Sequence, residues 1–308
     1  EHIGYEKNSF FKDKLSGGIF SKWEHTHKFY PLLNNVSFSR LEDRIDYALP
    51  FHIPDKWHGL IKSELYRLFD YRHAVMVNDL ERHRLYASSQ ILAKPFKILV
   101  SGASGPVGNA LIPFLTTAGH KVVKLVRTAP KAAITASSKG VADAEEACTE
   151  IAWNPYTREL DLEEAGKIDV VINLNGYHIG SGRWSDKLKD IIVKSRNLST
   201  TLLAEKISEL PEQLRPELFI SASATGFYGD CGDLCLDENS CSGDLFISNV
   251  CSEWERCALT AQESGIRTIF ARMGVVLTPA GGALERLLPA FMAGFGTKIG
   301  TGRQYMSW

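Results

Sequence analysis

The order of apolar and polar residues predicts two different architectures along the 308-residue chain. In the first part, alternating patterns predict antiparallel strands over 19–29 and 38–49, and apolar residues at three- and four-residue steps predict a helix over 60–80. From residue 96 onward, short continuous apolar runs, among them 96–101, 122–126, 170–172 and 218–220, predict strands. They alternate with helical stretches such as 186–209 and 246–264. Such alternation is typical of a parallel sheet with helices on both faces. We therefore predict an α/β Rossmann domain, a doubly wound parallel sheet, preceded by an α+β segment.

Composition changes near residue 95, which is where we place the domain boundary. Seven of the nine histidines lie before that point. Two or three strands and one helix cannot bury both faces of a sheet, so residues 1–94 are expected to form only part of a domain. Residues 95–308 are predicted to form the Rossmann domain. We expect that domain to be truncated at its C-terminal end, because the chain stops directly after an apolar and aromatic run.

Charge and hydropathy narrow the partners that this chain can have. The 35 Lys and Arg residues nearly balance the 36 Asp and Glu residues, and no basic stripe is visible. Neutralising phosphates requires such a stripe or a basic surplus, so no nucleic-acid partner is predicted. No apolar run approaches the length of a membrane span, and the first residues lack the pattern of a signal peptide. We predict a cytoplasmic protein with a small-molecule substrate and no membrane partner.

Two groups of potential metal ligands stand out, but neither predicts a metal site. Five of the six cysteines lie between residues 231 and 257 at irregular spacings, whereas structural zinc sites use short regular pairs. Unpaired, reduced thiols are therefore the prediction. His25 and His27 would lie on the same face of a strand, yet no third ligand follows at a recognisable spacing. We predict no bound metal.

A glycine-rich turn carries the strongest functional signal. It follows the apolar run 96–101 directly and precedes a predicted helix over 109–117. In this context glycines allow a tight turn, close approach of the backbone to a pyrophosphate, and close packing of helix on sheet. The free N–H groups of the helix N-terminus favour the same anion. The predicted cofactor contacts in this turn are Gly102, Ser104, Gly105, Pro106, Val107 and Gly108.

Arg127 indicates which dinucleotide the turn would hold. An NAD-binding unit usually has Asp or Glu at the end of the second strand, where it accepts hydrogen bonds from the ribose. Here that strand ends in Val126-Arg127. A guanidinium cannot accept a hydrogen bond from ribose, but it matches a 2′-phosphate. We therefore predict NADP as the cofactor, with NAD less favoured.

From Lys97 onward the chain resembles the extended short-chain dehydrogenase/reductase superfamily, in particular its epimerase-like subfamily. The resemblance is carried by segments 97–108, 171–176, 182–184, 221–230 and 272–277. It implies that Leu174 and Gly176 also contact the cofactor. It further implies that Ser223 donates a hydrogen bond to a substrate oxygen.

The chain departs from that superfamily at its acid/base pair. Superfamily enzymes carry a Tyr-x-x-x-Lys pair on a helix, but the corresponding positions here are Phe246 and Val250, and neither side chain can exchange a proton. Three alternatives remain open. Tyr228, Arg183 or Asp230 could serve in place of the pair, the substrate could need only a hydride donor and a polarising hydroxyl, or the protein could bind NADP without catalysis.

The predicted function is thus an NADP(H)-binding, epimerase-like oxidoreductase of unknown substrate. Its predicted catalytic residues are Ser223, Tyr228 and Arg183. The alternative is a catalytically inert NADP-binding regulator, because the resemblance also extends to proteins of cell division. The first part of the chain is similar to the second half of a helix-grip domain of the lipid-transfer or polyketide-cyclase type, in segments 17–29, 41–50 and 69–72. That similarity implies an apolar ligand in this part.

Overall fold

The computed structural model describes residues 1–18, 20–32, 35–49, 55–87, 94–127, 148–296, 298 and 300–308. These residues divide into two compact units, the first ending at Ala87 and the second beginning at Lys94. Within the described ranges, no helix combines the length and the apolar composition that crossing a membrane requires.

The first unit contains a four-stranded antiparallel sheet and one long helix. Its strands are β1 (His2–Glu6), β2 (Phe10–Lys14), β3 (Lys22–Leu32) and β4 (Asn35–Ala48), each paired with the next along the chain. The helix α1 (Asp55–Ala87) extends beyond the predicted 60–80 in both directions. The sequence did not indicate β1 and β2, which are short and lack regular alternation. The similarity to a helix-grip domain stays a prediction.

The second unit contains a seven-stranded sheet that confirms the predicted Rossmann architecture. Its strands are β5 (Lys97–Ser101), β6 (Lys121–Val126), β7 (Cys148–Asn154), β8 (Glu159–Leu160), β9 (Val170–Asn173), β10 (Leu218–Ala224) and β11 (Arg267–Met273). They lie in the order β11-β10-β9-β5-β6-β7-β8, and every pair is parallel except β7 with β8. Chain order reverses on either side of β5, and ligands bind at such a switch point, outside the carboxyl ends of the strands.

Among the residues that the structure describes, five helices accompany this sheet: α2 (Pro106–Thr117), α3 (Asp186–Glu209), α4 (Phe246–Cys257), α5 (Leu259–Glu263) and α6 (Gly282–Met292). The bounds of α3 are those predicted. The single helix predicted over 246–264 is wrong, because the chain forms α4 and α5 there. At the break, the N–H of the fully buried Ala258 donates to the carbonyl of Glu255, three residues earlier, which makes a tighter turn than an α-helix.

Two clusters of buried apolar residues form the core of the second unit, and the larger one lies between the sheet and α3. Leu99, Val171 and Phe219, on three neighbouring strands, are fully buried together with Leu202 and Leu203 of α3. Burying a side chain of this size stabilises the fold by about 1.5–3 kcal/mol. The apolar runs that predicted these strands are therefore also the residues that hold helix and sheet together.

Candidate functional site

The glycine-rich turn between β5 and α2 forms a backbone cradle that larger residues would fill. Gly102 has φ 72°, and a Cβ there would lie 2.7 Å from the backbone carbonyl of Leu174. A Cβ on Gly108 would lie 2.5 Å from the carbonyl oxygen of Gly102. The N–H of Gly105 donates to that same oxygen at 3.0 Å, which closes the turn. Glycine at 102 and 108 is therefore a steric requirement of this turn.

A cavity of about 770 Å³ opens in front of this turn. One wall consists of residues 102–104 and Asn109, and the opposite wall is the end of β6, where Arg127 is exposed. Helix α2 begins at Pro106, so the N–H groups of its first turn have no partner within the helix. The residues present fit a dinucleotide with an additional phosphate, because the cavity joins backbone donors for one anion to a guanidinium for a second.

Lys124 is the second cation beside this cavity. Its Nζ lies 2.6 Å from Glu150 Oε1 on β7, and this hydrogen bond raises the pKa of Lys124. Arg127 is the more exposed of the two cations. The geometry therefore leaves Arg127, rather than the paired Lys124, as the cation at the end of β6 that is presented to a ligand.

A buried polar network holds the segment that follows β9. Ser101 Oγ donates to Asn173 Oδ1 at 2.6 Å, and Asn173 Nδ2 donates to Thr200 Oγ1 at 2.8 Å. Trp254 Nε1 donates to the same hydroxyl at 2.8 Å. The network joins β5, β9, α3 and α4, and the N–H of Leu174 then donates to the carbonyl of Ser101 at 3.1 Å. This segment is thereby held against the glycine turn.

Gly176, predicted as a cofactor contact, lies against the guanidinium of Arg196. A Cβ at position 176 would lie 3.1 Å from Arg196 Cζ. Arg196 Nη1 donates to the carbonyl of Tyr177 at 3.1 Å, and the guanidinium lies 4.9 Å from the centre of the Trp254 ring. Burial lowers the pKa of Arg196. The guanidinium of Arg196 therefore holds the backbone of the loop after β9 at Tyr177.

A second cavity, of about 760 Å³, lies at the carboxyl ends of β10 and β11. Its lining is mostly apolar, and it includes Pro106 and Val107 from the glycine turn, so the cavity adjoins the proposed anion site. Cys251 lines it as well, and burial raises the pKa of this thiol to about 11. The thiol is therefore protonated near neutral pH. All six cysteines are unpaired, as predicted.

Two of the predicted catalytic residues, Ser223 and Tyr228, belong to one hydrogen-bond network. Ser223 is 1% exposed, and its Oγ donates to Glu255 Oε1 at 2.6 Å. Arg272 binds the same carboxylate through Nε at 2.8 Å and Nη2 at 2.9 Å, and its Nη1 donates to Tyr228 Oη at 3.1 Å. The hydrogen bond with Glu255 raises the pKa of Arg272. The Ser223 hydroxyl thus points to a buried carboxylate.

Arg183, the third predicted catalytic residue, is exposed on the loop before α3. The neighbouring Trp184 donates from Nε1 to the carbonyl of Ile179 at 2.9 Å, and Ile179 lines the apolar cavity. The Trp184 ring also packs against Phe246 at 5.3 Å. The structure therefore ties the loop of Arg183 to the cavity wall, while the Arg183 side chain lines neither of the two larger cavities.

His178 is a candidate that the sequence pattern did not single out. It lines the apolar cavity and also a smaller one of about 210 Å³ that includes Arg127. At the positions of the superfamily's acid/base pair, Phe246 begins α4 and Val250 is 3% exposed. The only sequence signal for His178 was its place in the loop that follows β9.

The reversed strand order, the glycine turn and the two adjoining cavities are those of a dinucleotide-binding α/β protein. Residues 98–308 match the model of the NAD dependent epimerase/dehydratase family, and the chain belongs to that family. Epimerase family protein Mb2239 of Mycobacterium bovis is 38% identical over 211 residues, 68% of this chain and 64% of that protein. The chloroplastic SDR39U1 homolog of Arabidopsis thaliana is 35% identical over 214 residues, 68% of this chain and 58% of the relative. The chain thus spans less than two thirds of the length of these relatives.

Two solved structures extend the comparison. A nucleoside-diphosphate sugar epimerase from Corynebacterium glutamicum has a TM-score of 0.74 and 30% identity, with 99% of this chain and 58% of that chain covered. That coverage includes the first unit. Human epimerase family protein SDR39U1 (isoform 2), solved with NADPH, has a TM-score of 0.56 and 29% identity over 68% of this chain and 64% of that chain. The predicted resemblance to epimerase-like proteins is confirmed.

Proposed function

We propose that the second unit binds NADP(H) in the cleft between the glycine turn and the end of β6. The backbone N–H groups at the start of α2 bind the pyrophosphate, and Arg127 binds the 2′-phosphate. Two observations support this assignment: the cradle that a Cβ at Gly102 or Gly108 would fill, and the NADPH in the structure of the human relative. NAD is less favoured because the residue directly after β6 is Arg127, which cannot accept a hydrogen bond from the ribose.

The proposed activity is that of an epimerase-like oxidoreductase whose small-molecule substrate binds in the apolar cavity. The observation that carries this proposal is the position of the cavity, which is lined by Pro106 and Val107, the first two residues of α2 directly after the glycine turn. A substrate there would lie beside the bound nucleotide. When bound, NADP(H) supplies or accepts a hydride; the chain itself must bind the substrate, exclude water and move a proton.

His178 is our proposed proton carrier. Phe246 and Val250 cannot exchange a proton, whereas an imidazole nitrogen can accept or donate one. His178 lies at the wall shared by the apolar cavity and the smaller cavity beside Arg127, which is where a proton would have to be delivered.

Ser223, Tyr228 and Arg183 have different proposed roles. Ser223 and Tyr228 act through Glu255 and Arg272, whose hydrogen bonds hold the Tyr228 hydroxyl in place. Because neither residue lines the apolar cavity, both are proposed to position its wall at Ala224 and Thr225, which lie between them in the chain. Arg183, exposed on a loop tied to the cavity wall at Ile179, binds an anionic group of the substrate at the rim.

A fluorescence titration of the full-length protein with NADPH and NADH tests the cofactor assignment. Replacing Arg127 by Ala should weaken NADPH binding about 10- to 100-fold, because a charge-assisted hydrogen bond contributes about 1.5–3 kcal/mol. NADH binding should change little. Arg256→Ala is the matched control, since Arg256 is exposed and paired with Glu253 outside the cleft. Equal loss of NADPH and NADH affinity in the Arg127 variant would contradict the role of this residue.

Turnover with a panel of carbonyl compounds and sugar nucleotides tests the proposed activity. The His178→Asn variant should bind NADPH normally and lose about 10²- to 10⁴-fold in turnover, the range that general acid/base groups contribute. Normal turnover in this variant would exclude His178 as the proton carrier. Tight NADPH binding without turnover across the whole panel would contradict the proposed oxidoreductase activity and favour a catalytically inert NADP-binding regulator.

A further inference from the structure

Strand pairing in the first unit brings three potential metal ligands to one face of the sheet. His25 and His27 are two residues apart on β3, so their side chains point to the same face. The register places Asp43 of β4 directly opposite His27. One ligand atom from each of the three side chains lies within 4.8 Å of the others. This arrangement depends on the pairing of β3 with β4, and the spacing along the chain does not show it.

A fourth potential ligand comes from α1. His73 Nε2 lies 2.5 Å from Asp43 Oδ2, whereas His25 Nε2 and His27 Nδ1 lie 2.8 and 2.6 Å from Oδ1 of the same carboxylate. Phe69, one helical turn before His73, packs edge-on against His25 with ring centres 5.1 Å apart. Three imidazole nitrogens therefore converge on one carboxylate.

The burial of these groups makes a site that is closed on the sheet side and open on the helix side. His25 and His27 are each 7% exposed, and the Asp43 side chain is equally buried. The His73 side chain is 41% exposed, which leaves a route in from solvent. The Phe11 ring stacks on His27 at 3.9 Å. Packing therefore holds two of the imidazoles in fixed orientations, as the surroundings of metal ligands commonly do.

The cluster places one carboxylate among three imidazoles. Burial, together with the neighbouring His25, lowers the pKa of His27. Burial opposes ionisation of Asp43, but hydrogen bonds from His73 and His25 outweigh it and lower the pKa of this carboxyl.

We propose that His25, His27, Asp43 and His73 bind one zinc ion. Imidazole nitrogen and carboxylate oxygen are ligands that zinc prefers, and four of them complete its usual tetrahedron. With zinc–ligand bonds of about 2.0–2.2 Å, tetrahedral geometry puts ligand atoms about 3.3 Å apart. The 2.5–2.8 Å separations around Asp43 would therefore widen by about 0.5–0.8 Å on zinc binding. Bound zinc would join α1 to the sheet.

Calorimetric titration of the metal-free, tag-free protein with zinc chloride tests this site. We expect one zinc ion per chain with a Kd below about 1 μM, as for other structural zinc sites. His73→Gln should weaken binding at least 10-fold, and because His73 is partly exposed the variant should fold normally. Asp43→Asn should weaken binding further, since it removes the only negative charge among the four ligands. His58→Gln, on the same helix but outside the cluster, is the control and should bind like the unmodified chain.

Cobalt provides an independent readout that does not depend on affinity. Co²⁺ in a tetrahedral site absorbs strongly in the visible range, so the unmodified protein and His58→Gln should give this spectrum, and His73→Gln should lose it. Circular dichroism checks that each variant is folded. Absence of stoichiometric zinc binding in the unmodified protein, or equal zinc binding in His73→Gln and His58→Gln, would overturn the proposal. The cluster would then be only a hydrogen-bonded carboxylate.

Discussion

Replacing Glu255 by Gln removes the negative charge at the centre of the network that joins Ser223 to Tyr228. The Glu255 carboxylate accepts hydrogen bonds from Ser223 Oγ at 2.6 Å and from two nitrogens of Arg272 at 2.8 and 2.9 Å. Glutamine has nearly the same shape, but its amide NH₂ can only donate, and it would face an N–H of the guanidinium in either orientation, because Arg272 donates to both carboxylate oxygens. Arg272 would then be a largely buried cation without a counter-charge.

The expected cost follows from the burial of this ion pair. Removing one partner of a buried pair costs about 3–5 kcal/mol, because the other charge is left uncompensated. The Arg272 side chain is 17% exposed and also donates to Tyr228 and to the carbonyl of Glu238. We therefore expect Glu255→Gln to lower the free energy of unfolding by about 3 kcal/mol, the lower end of that range. In a domain of roughly 150–250 residues, each kcal/mol lowers the Tm by about 2–4 °C, so the Tm should fall by about 6–12 °C.

Urea unfolding followed by circular dichroism, together with a thermal melt, measures this change. Glu253→Gln is the matched control: Glu253 lies on the same helix and pairs with Arg256, but both side chains are about half exposed or more. Such surface pairs contribute about 0–1 kcal/mol. The reasoning that this pair is a buried structural element would be refuted if Glu255→Gln lowered the free energy of unfolding by less than about 1 kcal/mol, or by no more than the control does.

Two further substitutions test the turn and the network. Gly108→Ala should abolish measurable NADPH binding, because its Cβ would lie 2.5 Å from the carbonyl oxygen of Gly102; Gly59→Ala, with no atom within 4 Å of the added Cβ, should bind normally in the same fluorescence titration. Ser223→Ala should lower the free energy of unfolding by about 1.5–3 kcal/mol in urea, since its hydroxyl donates to the charged Glu255. An unchanged urea midpoint would show that this hydrogen bond contributes nothing.

Features that depend on local patterns were predictable from the sequence. The continuous apolar runs predicted β5, β6, β9 and β10, because a strand buried on both faces has no polar side to present. The need for glycine at 102 and 108 follows from backbone sterics within one short turn. The bounds of α3 were predicted for the same reason, since helical periodicity is set by neighbouring residues. The strands β1 and β2 were missed because they are short and have no regular pattern.

The sequence by itself determined the Rossmann class, the glycine turn and the missing Tyr-x-x-x-Lys pair. Only the tertiary structure decided what the candidate residues contact, because their partners are distant in the chain: Ser223 and Glu255 are 32 residues apart, and His73 and Asp43 are 30 apart. Strand register and helix packing determine these contacts, and neither can be read from the spacing of residues along the chain. The serine predicted to face a substrate therefore points to a buried carboxylate, and His25 and His27 lie beside the carboxylate of Asp43, which the spacing along the chain did not show.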